Sequence, residues 1–140
     1  MSFLLDTDVL SELRKGARAD PGVRHWFEQV RSEELWLSCL TLGEIRNGIE
    51  RLRKRDPSAA EGLDRWQQRV TEAYGDRILD IDRQIAERWG YLEAEGPLPV
   101  VDGLIAATAK RHGMVLVTGN PRDMSRMDVE ILVPFTHRAG

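Results

Sequence analysis

Short, unbroken apolar runs alternate with amphipathic segments along this chain. Phe3-Leu4-Leu5, Leu35-Trp36-Leu37-Ser38, Met114 to Thr118 and Ile131-Leu132-Val133 read as buried strands, and Arg77 to Ile81 as a further one. Helical spacing fills the intervals. It carries Val9, Leu10 and Leu13, then Val23, Trp26, Phe27 and Val30, then Leu42, Ile45, Ile49 and Leu52. It returns with Leu63, Trp66 and Val70, with Ile85, Ala86, Trp89 and Leu92, and in the small-residue segment Val100 to His112. The aromatics Trp26 and Phe27 read as core. Pro21-Gly22, Asp56-Pro57-Ser58, Gly75-Asp76 and Gly96 to Pro99 punctuate the pattern as turns and helix breaks. Five strands alternating with helices predict an α/β fold, a three-layer α/β/α domain over residues 1–140 with a central parallel sheet of about five strands. Right-handed crossovers bring the ends of strands one, two and four to one edge of that sheet. Ligands bind outside such carboxyl ends.

The acids gather at that edge. Asp6 follows the first strand, Glu44 and Asp102 lie near the starts of helices, and Asn120 and Asp123 follow the fourth strand. Each has a plain structural use. Asp8 is expected to cap the first helix, which leaves Asp6 for chemistry; Asp102 suits an N-cap, and Asp123 a turn. Thr41 and Glu44 match a capping box. Together they suggest something else. Two like charges about 4 Å apart repel by roughly 4 kcal/mol at an effective dielectric near 20, a strain that a divalent cation relieves. Carboxylates without histidine or cysteine company suit a hard ion such as Mg²⁺ or Mn²⁺. His25, His112 and His137 are scattered and Cys39 is the single cysteine, which argues against zinc. A carboxylate-held ion can acidify a bound water and stabilise the attacking and leaving oxygens of a phosphodiester, so in-line hydrolysis is the expected reaction.

Composition narrows the setting more than the chemistry. With 140 residues, 41% hydrophobic and 31% charged, the chain is an ordinary globular sequence. A net charge of −3 is too mild for a general nucleic-acid coat, so any basic contact surface is local. No run approaches the ~20 apolar residues of a membrane helix. The N-terminus lacks the basic region of a signal peptide, and a lone cysteine requires no oxidising compartment, so a cytoplasmic protein is expected.

Three strings, LLDTDVLSEL, SCLTLGEIRNGI and VVDGLIAATAKRHGMVLVTGN, resemble the PIN domain of VapC- and FitB-type ribonuclease toxins. The family's D-T-(N/D)-hydrophobic-hydrophobic-S-E falls on Asp6 to Glu12, its T-x-x-E-(L/I)-x-x-G on Thr41, Glu44, Ile45 and Gly48, and its D-x-x-I-A-A-T-A on Asp102 to Ala109. The resemblance implies a metal-dependent endoribonuclease with Asp6, Glu44 and Asp102 as its first acids. It implies supporting hydroxyls at Thr7 and Thr118, an antitoxin that covers the cleft, and a homodimer. The sequence departs from the pattern after the fourth strand. There Thr118-Gly119-Asn120 replaces T-R-N or T-R-D, leaving Asn120 or Asp123 as the fourth position, and Met124 stands where an aromatic is commoner.

Two alternatives stay open. Asp6-x-Asp8 and Gly119-x-x-x-Asp123 echo haloacid-dehalogenase-like phosphatases, although Val9 and Leu10 stand where that chemistry wants a small residue and a threonine. A catalytically degenerate PIN-like binding module is the other. Arg46, Arg51, Arg53, Lys54 and Arg55 either grip RNA phosphates or form a solvated helix face, the latter being preferred. Arg14 and Lys15 suit RNA or an acidic partner.

Overall fold

The computed structural model describes residues 1–121 and 127–136. Its elements run β1 (Phe3–Leu5), α1 (Thr7–Leu13), α2 (Pro21–Gln29), β2 (Leu35–Ser38), α3 (Cys39–Arg53), α4 (Pro57–Tyr74), β3 (Ile78–Leu79), α5 (Arg83–Glu95), α6 (Val100–His112), β4 (Val115–Val117) and β5 (Ile131–Leu132). All strand pairs are parallel, in the order β3-β2-β1-β4-β5. The expected three-layer α/β/α arrangement with five parallel strands is therefore the one observed.

The layers follow from the two-residue period of the strands. Phe3 and Leu5 of β1 face one side with Leu35, Leu37, Val115 and Val117, where α1 to α4 cover them through Val9, Val23, Ile45, Ile49 and Val70. Leu4 and Leu116 face the other side, under Ile105, Ala106 and Ala109 of α6. Both faces are thus apolar, which is why these strands read as continuous hydrophobic runs and not as alternating ones. Trp26 packs edge-on against Phe3, with ring centroids 5.4 Å apart, as its core assignment requires. Phe27, one residue on, turns outward and is 40% exposed, because helical spacing carries it past the buried stripe.

Local chemistry sets the helix ends. Asp56 and Asp82 accept backbone N–H bonds from Ala59 and Ile85, and Pro57 occupies the first position of α4. Pro21-Gly22, expected as a turn, is instead the first turn of α2, because the Asp20 side chain accepts from Gly22 N and Val23 N. Asp20 Oδ1 also accepts from the backbone N–H and hydroxyl of Thr136, at 2.9 and 2.8 Å, which clips the chain's last described segment onto α2. The third strand is shorter than its apolar run, only Ile78–Leu79. Arg77 lies in the preceding 3-10 turn, and its guanidinium donates to the carbonyls of Ser32, Leu35 and Ala73. Among the described residues no helix is long and apolar enough to cross a membrane.

Candidate active site

With β1 between β2 and β4, the chain leaves the centre of the sheet at Asp6. Its backbone N–H still bonds Val117 of β4, at 2.9 Å. The Asp6 side chain is buried and both its oxygens are engaged, Oδ1 accepting from Thr7 N and Oδ2 from the Thr118 hydroxyl, each at 2.8 Å. Asp6, not the expected Asp8, is therefore the N-cap of α1, since helical geometry begins at Thr7. Asp8 lies in the first turn, where its Oδ2 accepts the backbone N–H of Gly119 at 2.9 Å. That bond ties α1 to the loop after β4. Thr118 completes the tie by accepting from Asn120 N at 3.0 Å.

Glu44 approaches from α3. The expected capping box on Thr41 is absent, because α3 begins two residues earlier and Ser38 is its N-cap, accepting from Leu40 N at 3.1 Å. Glu44 is thereby the sixth helical residue, too far along to reach back to a cap. It turns instead to Thr7, whose hydroxyl donates to Glu44 Oε1. Thr41 is fully buried beside the same hydroxyl, 3.2 Å from Thr7 Oγ1. Its recurrence with Ile45 and Ile49 on the apolar stripe of α3 was the sequence signal for that burial.

Asp102 is not a cap either. It is the third residue of α6, and the N-cap position is Pro99, which has no side-chain acceptor. Its carboxyl is held above the ordinary carboxylate range, chiefly by burial and then by the negative charges of Asp6 and Glu44. The three leading acids, one just after β1, one on α3 and one on α6, thus share one electrostatic neighbourhood. Among the described residues, however, no three histidine, cysteine, aspartate or glutamate side chains converge closely enough to hold an ion as they stand. The donor set, carboxylates and hydroxyls without histidine or thiolate, is that of a hard divalent cation. Asn120 joins the site through its backbone N–H, its residue being exposed. Asp123, like Met124 and His137, lies outside the described residues.

A proton-linkage test follows from Asp102. Its folded-state pKa is raised, so its stabilising contribution is present below the unfolded pKa and is lost as pH rises through the folded one. Asp102→Asn should therefore melt above wild type at neutral pH, with the gap closing as the pH is lowered below the carboxylate range. A gap independent of pH would show that Asp102 is not electrostatically strained.

The basic run divides. Arg46 forks onto Asp64 at 2.9 and 3.1 Å and reaches Glu50, while Arg53 bonds Glu50, Glu61 and Asp64. These two guanidinium groups join α3 to α4. Arg51, Lys54 and Arg55 are exposed, in keeping with the solvated face.

Comparison with known proteins agrees with this architecture. The PIN domain model matches residues 3–130. Toxin FitB of Neisseria gonorrhoeae is 30% identical over 140 residues, 95% of this chain and 98% of its own. VapC ribonuclease Y4jK of Sinorhizobium fredii is 29% identical over 141 residues, 95% and 97%. Among solved structures, FitAcB from Neisseria gonorrhoeae superposes with a TM-score of 0.84 at 28% identity, covering 94% of this chain and 97% of that one. A toxin–antitoxin complex from Klebsiella pneumoniae gives 0.70 at 27%, covering 96% and 98%. PIN ribonucleases generally use a divalent metal. With the family model matching nearly the whole chain, and FitB aligned along its length, this protein belongs to the PIN-domain family, among the FitB- and VapC-type toxins.

Proposed function

We propose that the chain is a metal-dependent endoribonuclease toxin, paired with an antitoxin and acting on RNA in the cytoplasm. The observation that carries the proposal is that the negative charges of Asp6 and Glu44, acids from two other elements, bear on the carboxyl of Asp102. The names of its relatives, a toxin and a ribonuclease, support the same activity, and the Klebsiella complex supports a protein partner. PIN-family membership sets the phosphatase alternative aside.

In this scheme Asp6, Glu44 and Asp102 hold Mg²⁺ or Mn²⁺, and Asn120 or Asp123 completes the set. When bound, such an ion supplies a Lewis acid for the phosphodiester and acidifies an attacking water. The chain's own groups prepare for it. Thr118 and the Thr7 N–H orient the two oxygens of Asp6, and the Thr7 hydroxyl orients Glu44. Burial of Asp102 strengthens its interaction with any cation that enters. A second copy of the chain completes a homodimer, and the antitoxin covers the acids.

The deciding assay is cleavage of labelled RNA by the purified protein with Mg²⁺ or Mn²⁺. Wild type is expected to cut and to stop on chelation, while Glu44→Gln is expected to be inactive yet folded. Normal cutting by Glu44→Gln would remove Glu44 from the chemistry. Absence of both cleavage and Mn²⁺ binding by wild type would favour a degenerate binding module.

A further inference from the structure

The hydroxyl of Thr41 lies fully buried on the apolar stripe of α3, where valine would satisfy the packing equally well. A hydroxyl in such a place is unfavourable unless it is hydrogen-bonded. Its hydrogen-bond partner among the described residues is Thr7 Oγ1, at 3.2 Å. Proton counting gives the bond a direction. Thr7 carries one hydroxyl proton, and an ionised Glu44 carboxylate can only accept, so that proton lies on the Thr7–Glu44 bond. The Thr41–Thr7 contact then runs from the Thr41 O–H to the Thr7 oxygen.

We infer that Thr41 is a positioning residue: it donates to Thr7, which donates to Glu44, and this two-hydroxyl chain, rooted in the buried Thr41, sets the glutamate for a divalent cation. Chains of hydrogen bonds polarise one another, so the Thr41 bond strengthens the hold of Thr7 on the carboxylate as well as fixing its rotamer. Thr118 supports Asp6 directly in the same manner, with its own hydroxyl ordered by the Asn120 N–H. Each of these two acids is thus presented by a hydroxyl that is itself held by a second donor. The inference rests on the metal-dependent reading of the site, and Mn²⁺ binding tests it apart from RNA chemistry.

The experiment compares wild type with Thr41→Val, which keeps the branched shape without the hydroxyl, and Thr41→Ser, which keeps the hydroxyl. Mn²⁺ calorimetry, RNA cleavage rates and thermal melts are measured on the full chain. Outer groups that orient metal ligands typically matter about 10–100-fold in affinity or activity, so Thr41→Val is expected to weaken Mn²⁺ binding and slow cleavage on that scale. Thr41→Ser is expected to recover most of both, even though it loses a buried methyl group and melts lower. Equal Mn²⁺ affinity in wild type and Thr41→Val would overturn the inference, as would losses in the two variants that track melting temperature alone. So would an absence of Mn²⁺ binding by wild type. A wild-type protein that cuts no RNA but binds Mn²⁺ in a Thr41-dependent way would fell the nuclease proposal and leave the role of Thr41 standing.

Discussion

Asp6→Asn is expected to lower RNA cleavage at least about a hundredfold, the upper scale set by groups that merely support metal ligands, while α1 still forms. The two consequences separate because Asp6 has two tasks. As an N-cap its Oδ1 accepts from Thr7 N, and asparagine caps helices about as well as aspartate. As a carboxylate its Oδ2 accepts from the buried hydroxyl of Thr118, where an amide nitrogen would offer a second donor instead. That mismatch costs on the order of 1–3 kcal/mol, which relief of repulsion with Asp102 partly offsets. The protein should therefore remain folded by circular dichroism while losing single-turnover cleavage and Mn²⁺ affinity together. Activity within a few-fold of wild type would show that Asp6 is a helix cap and nothing more.

The second large effect is expected at Gly119. The pattern that the sequence resembles has an arginine there, whereas the packing in this chain leaves little room for any side chain. A Cβ at this position would stand 2.6 Å from Asp8 Oδ2 and 2.9 Å from the ring of Phe135. Gly119→Ala must then displace either the aromatic ring or the carboxylate that accepts the Gly119 N–H. Overpacking and loss of a charge-assisted bond together suggest about 2–4 kcal/mol, a fall in melting temperature on the order of 10 °C. Cleavage should fall as well, because the adjacent Thr118 hydroxyl is the one that orients Asp6. Adding Phe135→Leu to Gly119→Ala should recover part of the stability by vacating the ring position. A Gly119→Ala protein that melts and cuts like wild type would contradict the packing described for this loop.

Much of the architecture was legible in the sequence because both faces of the sheet are buried. Phe3-Leu4-Leu5 and Val115-Leu116-Val117 have no polar face to blur the strand signal, and the helices carry apolar stripes at regular spacing. The capping details were not legible. Asp6 and Asp8, or Ser38 and Thr41, are equally good caps by composition, and the choice between them depends on the residue at which β1 and β2 stop pairing with their neighbours. Local pattern identified the acids without ranking them. Their convergence depends on the strand order, and the contacts that orient them are made by Thr118 and Thr7, residues 112 and 37 positions away from Asp6 and Glu44. The clip of Asp20 on Thr136 spans 116 positions and has no short-range signature.

The central place of β1 also bears on the order in which these contacts form. Of the described strands the first to be synthesised is the middle one of the sheet, and its second edge stays unpaired until β4 follows. Asp6 and the hydroxyl that orients it are 112 residues apart, roughly 6–22 s of synthesis at about 5–20 residues per second. Throughout that interval a growing chain holds Asp6 without Thr118, and for most of it without Asp102 as well. The Asp6–Thr118 bond is therefore among the last contacts of the sheet edge to form, made only when almost all of the described fold has been synthesised.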